Sequence, residues 1–211
     1  MKTLLCFGDS NTWGSAPMAS LDDSRRFGPQ QRWPGVLRQR LGPDWQVIEE
    51  GLPGRTIARD DPVEGADRNA RRYLQPCLHS HRPLDWVALM LGTNDLKARF
   101  GASPQDIAVG LHTLIDLIRL SDLPQMPAPR ILVICPTPVV EVGCLAGMFH
   151  GGAAKAAQLA PLYREIARQR GAEFLDAGEH VRVSASDGIH LDADAHLALG
   201  DAVAVKLMGL G

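Results

Sequence analysis

Three polar side chains that lie far apart in the sequence have the types needed for acyl-transfer chemistry. Ser10 follows a short apolar run, and Asp187 and His190 lie three residues apart near the end of the chain. A serine hydroxyl is a weak nucleophile that becomes reactive when an adjacent base removes its proton. The spacing of Asp187 and His190 predicts one face of a helical turn, where the carboxylate can orient the imidazole toward Ser10. We therefore predict that Ser10, Asp187 and His190 form a catalytic set.

A reaction at a serine also needs hydrogen-bond donors for the negative charge that develops on the substrate oxygen. The candidates are the backbone N–H groups of Ser10 and Gly54 and the side-chain amide of Asn94, each of which follows an apolar run. In an open parallel sheet, ligands bind beyond the carboxyl ends of the strands, where these groups would converge. Taken alone, Ser10 is equally typical of a helix N-cap, and Asn94 of a turn. Their combination with Asp187 and His190 favours an oxyanion hole.

Three residues beside these positions are candidates for substrate binding. Asn11 directly follows the predicted nucleophile, and we expect it to shape the acyl pocket. Trp13 either forms a wall of that pocket or packs in the core. Arg55 either binds an anionic group of the substrate or pairs with Asp60 or Asp61, and we favour the ion pair.

No metal ion or cofactor is predicted for this reaction. The chain contains four cysteines, Cys6, Cys77, Cys135 and Cys144. They form no CxxC pair, and their spacing to the histidines matches no common zinc pattern. His79 and His81 flank a serine, an arrangement more typical of exposed loop side chains than of a metal-binding pair. We therefore expect chemistry that uses side chains and backbone groups alone.

The elements that must position these residues alternate along the chain. Short apolar runs predict strands at residues 3–7, 45–49, 86–91, 131–135 and 173–176. Amphipathic spacing predicts helices at residues 32–41, 153–170 and 192–208, and a further helix that Ser103 caps and Pro104 begins. This alternation predicts an α/β fold, a three-layer α/β/α sandwich with a central parallel five-stranded sheet.

Length and charge restrict the classes of protein to which the chain can belong. Its 211 residues fit a single domain over residues 1–211, and the net charge of −2 argues against a nucleic-acid partner. No stretch reaches the ~20 apolar residues of a membrane span, and the apolar run at the N-terminus is too short for a signal peptide. We therefore expect a cytoplasmic protein that acts on a small molecule.

Residues 136–152 are rich in Gly and Pro, as in a loop, and yet carry several apolar side chains. These are Val139, Val140, Val142, Leu145, Met148 and Phe149. An exposed apolar patch of this kind is unusual on a monomer. We expect the segment to cover the mouth of the active site, to pack between subunits, or both, and we predict a homo-oligomer.

Four short blocks of the sequence resemble those of the SGNH (GDSL-type) hydrolase family. The blocks are Gly8-Asp9-Ser10, Gly51 to Gly54, Gly92-Thr93-Asn94-Asp95 and Asp187-x-x-His190. They occur in the family's order over nearly the whole chain, and the four letters of the family name correspond to Ser10, Gly54, Asn94 and His190. The longer stretches CFGDSNTWG, RFGPQQRWPGVL, EEGLPGRT, MLGTND and DGIH are similar to the bacterial arylesterase and acyltransferase branch.

This resemblance implies a flavodoxin-like sandwich and a serine esterase that hydrolyses short-chain acyl esters of aryl or alkyl alcohols through an acyl-enzyme. It also implies acyltransferase or perhydrolase side activity and a homo-oligomer. Asn11 stands where many relatives have leucine, and Glu49-Glu50 stand where many have an asparagine before the first glycine. Two other interpretations stay open, namely a carbohydrate O-acetylesterase with the same triad and a non-catalytic ligand-binding module on this fold.

Overall fold

Five short strands form a parallel sheet at the centre of the computed structural model, which describes residues 1–210. The strands are β1 (Lys2–Gly8), β2 (Trp45–Gly51), β3 (Trp86–Met90), β4 (Arg130–Cys135) and β5 (Glu173–Asp176). Their order across the sheet is β2-β1-β3-β4-β5, and every neighbouring pair is parallel. All five strands lie where the sequence predicts them.

Helices connect the strands and cover both faces of the sheet. Within the described residues they are α1 (Ser10–Trp13), α2 (Trp33–Leu41), α3 (Ala70–Ser80), α4 (Pro104–Arg119), α5 (Gly152–Ala156), α6 (Leu159–Gln169) and α7 (Ala193–Met208). The helices α2, α4 and α7 begin within one residue of their predicted starts. Ser103 caps α4 as predicted, because its hydroxyl accepts a hydrogen bond from the N–H of Asp106 at 3.0 Å.

The single long helix predicted over residues 153–170 is wrong, because the chain forms two helices there. Helix α5 ends at Ala156, and α6 begins at Leu159. A continuous helix would need the N–H of residue 161 to bond to the carbonyl of Ala157, and Pro161 has no N–H and crowds that carbonyl. Proline is tolerated only in the first turn of a helix, where it lies in α6.

Neighbouring residues of one strand contribute to opposite cores. Leu5 and Phe7 of β1 lie in a core with α3, α4 and α6, whereas Leu4 and Cys6 lie in a second core with α2 and α7. This alternation is the two-residue period of a β-strand with both faces covered. The three-layer α/β/α sandwich that the sequence predicts is therefore confirmed.

The lengths and composition of the helices bear on the prediction that the protein has no membrane span. None of the helices within residues 1–210 is long and apolar enough to cross a bilayer. The single domain over the whole chain, the cytoplasmic location and the absence of a nucleic-acid partner stay predictions.

Helices α2 and α7 approach closely because a glycine stands at their contact. A Cβ atom at Gly200 would lie 2.7 Å from the Cβ of Val36 and 2.9 Å from the carbonyl oxygen of Trp33. We expect Gly200→Ala to lower the free energy of unfolding by about 1–3 kcal/mol, the usual cost of overpacking a core. Urea denaturation measures this, with Gly147→Ala as the control, since a Cβ atom there meets nothing within 4 Å. Equal unfolding free energies for the two variants would contradict the tight contact.

Candidate active site

Ser10 lies at the sharp turn between β1 and α1. Gly8 ends the strand, and Asp9 caps the helix by accepting a hydrogen bond from the N–H of Asn11 at 3.0 Å. A Cβ atom at Gly8 would lie 2.0 Å from the Oγ1 of Thr12, so the turn requires glycine. The first N–H groups of a helix have no partner inside the helix. Ser10 therefore carries both a hydroxyl and a helix-terminal N–H at the carboxyl end of β1.

The structure brings the three predicted catalytic side chains into one hydrogen-bonded chain. The Oγ of Ser10 lies 3.1 Å from Nε2 of His190, and Nδ1 of His190 lies 2.6 Å from Oδ2 of Asp187. All three residues are buried, and Asp187 is fully so. The geometry allows the imidazole to take a proton from the serine while the carboxylate stabilises the charge that it acquires.

The prediction that Asp187 and His190 lie on a helical turn is wrong, although they do meet. The segment is a tight turn in which Gly188 has a positive φ of 72°, and a Cβ atom there would lie 1.8 Å from the carbonyl oxygen of Val140. The Oδ1 of Asp187 accepts hydrogen bonds from the N–H groups of Ile189 and His190, both at 2.9 Å. The carboxylate itself therefore organises the turn that presents the imidazole.

The carboxyl group of Asp187 stays ionised in this buried position. Burial raises its pKa, but the hydrogen bond and charge of His190 and the backbone N–H groups of His190 and Met18 outweigh burial and lower it to about 2. At neutral pH the group is therefore a carboxylate, which accepts the proton on Nδ1 of His190 and leaves Nε2 free to act as a base.

The residues of the three predicted oxyanion donors line one cavity next to the hydrogen-bonded series of Ser10, His190 and Asp187. Gly54, with a φ of 79°, follows β2 and lies in the same lining as Ser10 and Asn94. The side-chain amide of Asn94 donates one hydrogen bond to the carbonyl of Arg55 at 3.1 Å, which orients the group and leaves a second N–H. The carboxylate of Asp95 accepts a hydrogen bond from the N–H of Ile57 at 3.0 Å and so connects the segment after β3 to the loop after β2.

The cavity has a volume of about 460 Å³ and a lining that includes both apolar and polar side chains. Its apolar lining consists of Trp13, Met18, Leu21, Pro53, Leu145, Met148, Phe149 and Ile189. Its polar lining beyond the catalytic groups consists of Ser15, Asp23, Ser24, Glu64 and Lys97. One part of a bound substrate can thus lie against hydrocarbon while another meets charged and hydroxyl groups.

The apolar segment 136–152 covers this cavity, as one half of the prediction requires. Leu145 and Phe149 line the cavity and are buried within the same chain, and Val139 is buried in the same apolar cluster. Val140 is the member that is 48% exposed. Three of the six apolar side chains are therefore buried within one chain and two more, Val142 and Met148, are half-buried, so the segment does not require a second subunit. The homo-oligomer stays a prediction.

Of the three predicted substrate-binding residues, Trp13 lines the cavity and Asn11 has a different role. The guanidinium of Arg26 lies 4.3 Å from the centroid of the Trp13 ring and holds the ring in place. Asn11 is buried, and its side chain donates to the carbonyl of Ile189 at 3.0 Å and accepts from the N–H of Leu191 at 3.1 Å. Asn11 therefore fixes the segment that carries the imidazole of His190, and it does not line the cavity.

Both interpretations of Arg55 are corrected by the structure. Its guanidinium is buried, donates to the carbonyl oxygens of Gly8 (2.8 Å) and Glu50, and lies 4.2 Å from the ring centroid of Phe7. It therefore ties the end of β1 to the end of β2, next to the loop that carries Gly54. The two aspartates that it was expected to pair with bind other arginines, Asp60 with Arg72 and Asp61 with Arg99.

A partly buried ionic cluster, two members of which line the cavity, has no signal in the sequence. The ammonium of Lys97 is buried against Glu64, and Arg99 contacts both Glu64 and Asp61 at 2.6 Å. A Cβ atom at Gly54 would lie 2.1 Å from Oε2 of Glu64, so this cluster also packs against the oxyanion loop. Sequence reasoning missed it because its members come from separate loops with no characteristic spacing.

The fold and site together define an esterase of a known class. The chain belongs to the GDSL-like lipase/acylhydrolase family, whose model matches residues 6–198. The predicted family is therefore confirmed, and the protein is a carboxylic ester hydrolase similar to aryl esterases.

Two solved structures illustrate the range of its relatives. The native aryl esterase of M. smegmatis is 41% identical with a TM-score of 0.95, and Est24, a carbohydrate acetylesterase from Sinorhizobium meliloti, is 40% identical with a TM-score of 0.96. Each comparison covers 100% of both chains. No curated protein matches the chain. The two similar structures are named for different ester substrates.

The position of Asn11 predicts a loss of turnover without direct contact with substrate. We expect Asn11→Ala to lower kcat on p-nitrophenyl acetate, because the carbonyl of Ile189 and the N–H of Leu191 lose their partner and the imidazole is no longer held. The unfolding free energy should fall by about 1–3 kcal/mol. Asn69→Ala, which removes the cap of α3, is the control that lowers stability and leaves kcat unchanged. A wild-type kcat in Asn11→Ala would exclude this role.

Proposed function

We propose that this protein is a serine esterase that hydrolyses short-chain acyl esters of aryl or alkyl alcohols through an acyl-enzyme. Ser10 is the nucleophile, His190 the general base and acid, and Asp187 the group that orients the imidazole. The proposal rests on one observation, the continuous chain of contacts from Ser10 to His190 (3.1 Å) and from His190 to Asp187 (2.6 Å) at the edge of a cavity.

Acylation begins when the ester carbonyl oxygen enters the oxyanion hole formed by the N–H groups of Ser10 and Gly54 and the amide of Asn94. The Oγ of Ser10 bonds to the carbonyl carbon as Nε2 of His190 takes its proton, and the negative charge passes to the carbonyl oxygen. When the tetrahedral intermediate collapses, the bond to the alcohol oxygen breaks. The alcohol leaves with the proton from His190, and the acyl group stays on Ser10.

Deacylation repeats these steps with a second nucleophile. Water loses a proton to His190, attacks the acyl carbon and releases the carboxylic acid, while the proton returns to the Oγ of Ser10. An alcohol or a peroxide that reaches the acyl-enzyme in place of water gives acyl transfer or perhydrolysis by the same route. The apolar lining of the cavity, which disfavours water, supports such side activity.

The size and lining of the cavity support small esters. Its volume of about 460 Å³ is at the lower end for ligand sites in proteins. Trp13, Met148 and Phe149 offer aromatic and thioether surface against which an aryl group can pack.

A carbohydrate O-acetylesterase is the second candidate, and the polar residues of the cavity lining favour it. Asp23, Ser24, Glu64 and Lys97 offer hydrogen-bonding groups of the kind that sugar hydroxyls need. The similarity to the carbohydrate acetylesterase Est24 supports the same interpretation.

A substrate panel separates the two candidates. We expect kcat/KM to be higher for phenyl acetate than for acetylated glucose or xylose, because apolar side chains supply more of the cavity lining than polar ones do. Trp13→Ala should lower kcat/KM for the aryl ester more than for the sugar ester. Ser24→Ala should lower kcat/KM for the sugar ester more than for the aryl ester. A preference for acetylated sugars with no effect of Trp13→Ala on aryl esters would favour the carbohydrate assignment.

Replacing the nucleophile tests the reaction class. Ser10→Ala should reduce hydrolysis of p-nitrophenyl acetate to the uncatalysed rate, and a fluorophosphonate probe should label the wild-type chain at Ser10 only. Ser15→Ala is the matched control, since this second serine lines the same cavity. Substantial turnover by Ser10→Ala, or probe labelling of Ser10→Ala, would rule out Ser10 as the nucleophile. A wild-type chain with neither turnover nor labelling would leave the non-catalytic binding module.

Removing one oxyanion donor tests the second part of the mechanism. We expect Asn94→Ala to lower kcat by a factor on the order of 10²–10³, because the lost hydrogen bond acts mainly on the transition state. KM should change far less, and the circular dichroism spectrum should stay that of the wild type. A large rise in KM with an unchanged kcat would mean that Asn94 binds the substrate only.

A further inference from the structure

Three side chains with metal-binding atoms meet between β2 and α3, outside the catalytic cavity. They are Glu50 at the end of β2, Cys77 within α3 and His81 directly after α3. One carboxylate oxygen, the Sγ and one imidazole nitrogen all lie within 4.8 Å of one another. We propose that these three side chains bind a zinc ion.

Helix geometry places two of the ligands side by side. Cys77 and His81 are four residues apart, and the N–H of His81 donates to the carbonyl of Cys77 at 3.2 Å, so the helical path of α3 continues to His81. Residues at this spacing lie on one face of a helix. That face is turned toward β2, because Nε2 of His81 lies 2.8 Å from Oε1 of Glu50.

The combination of atoms suits zinc better than other common ions. Thiolate, imidazole and carboxylate are its usual ligands, whereas magnesium and calcium prefer oxygen alone. The ligand atoms of a tetrahedral zinc site lie roughly 3.3–3.6 Å apart, so closing this cluster requires side-chain movements of about 1 Å. On binding, the thiol of Cys77 loses its proton to solvent as the sulfur–metal bond forms.

The surroundings leave a route for the ion and for a fourth ligand. Cys77 is buried, whereas the side chains of Glu50 and His81 are 20% and 29% exposed. Glu50 also lines an open cleft of about 450 Å³ together with Tyr73 and Asp67. Water from this cleft can complete a tetrahedral site.

Charge balance at the cluster is compatible with a divalent ion. The carboxylate of Glu50 and a thiolate at Cys77 together neutralise the two positive charges. The guanidinium of Arg55, which lines the same cleft, opposes a cation, but its charge is partly offset by the carbonyl oxygens of Gly8 and Glu50 to which it donates.

The sequence conceals this site for a simple reason. Cys77-x-x-x-His81 is a single pair, and its third ligand is a distant glutamate on a strand. The histidines that stand out in the sequence are His79 and His81, but His79 is exposed on another part of the helix surface. None of the three proposed ligands lines the catalytic cavity as the structure describes it, so the zinc proposal and the esterase mechanism can fail independently.

Cobalt titration of the full-length chain tests the proposal, because Co²⁺ replaces Zn²⁺ and produces a thiolate-to-metal charge-transfer band that zinc lacks. We expect about one Co²⁺ per chain, an intense near-ultraviolet band, and loss of the band when Zn²⁺ is added. The band should disappear in Cys77→Ser and weaken in His81→Gln and Glu50→Gln. It should persist in two controls, His79→Gln and Cys144→Ser, which change the neighbouring histidine and the half-buried cysteine outside the cluster.

A second measurement shows whether each variant is folded. Zn²⁺ should raise the Tm of the wild type, since a ligand that binds only the folded state stabilises it, and should leave the Tm of Cys77→Ser unchanged. Hydrolysis of p-nitrophenyl acetate by Cys77→Ser reports on its fold, because Cys77 has no part in the reaction. Absence of the band in the wild type, binding without the band, or a band that survives in Cys77→Ser would each overturn the proposal.

Discussion

The arrangement of the site depends on the buried carboxylate of Asp187. It accepts hydrogen bonds from the N–H groups of Met18, Ile189 and His190, and it contacts Nδ1 of His190 at 2.6 Å. One group thus shapes the turn, orients the imidazole and anchors the loop that follows α1. A buried charge is stable only when its hydrogen-bonding capacity is satisfied. Here the groups that satisfy it belong to the loop of Met18 and to the turn and ring of His190, so the same hydrogen bonds that stabilise the charge also position the site.

The segment 136–152, which covers the cavity, is hydrogen-bonded to the same turn. The N–H of Val140 donates to the carbonyl of Gly188 at 2.8 Å, and the absence of side chains at Gly188 and Gly143 allows the segment 136–152 to lie directly on the turn. The contacts that fix the imidazole therefore also fix the apolar wall of the cavity. A change in this loop alters the shape of the pocket and the position of His190 together.

The oxyanion loop has its own support from below. The buried guanidinium of Arg55 joins the carbonyls of Gly8 and Glu50, and the carbonyl of Arg55 accepts the amide of Asn94. One proposed oxyanion donor thus follows each of β1, β2 and β3, and a single arginine links the segments at the ends of all three strands. Arg55 thus supports the geometry of the site although it does not line the cavity.

The sequence by itself determined the strands and the three layers, because a sheet that is buried on both faces leaves apolar runs in the sequence. It also determined which groups converge, because the carboxyl ends of parallel strands meet at one edge of the sheet. Of the residues that the sequence singled out, Ser10, Gly54, Asn94 and His190 line one cavity, and Asp187 lies behind His190 at 2.6 Å. Only the tertiary structure decided how they are held. The tight turn at Gly188, the hydrogen bonds of Asn11, the buried position of Arg55, the ionic cluster at Lys97 and the meeting of Glu50 with Cys77 all join residues that are distant in sequence. Such contacts have no local period or spacing, since they depend on which loops the completed fold brings together.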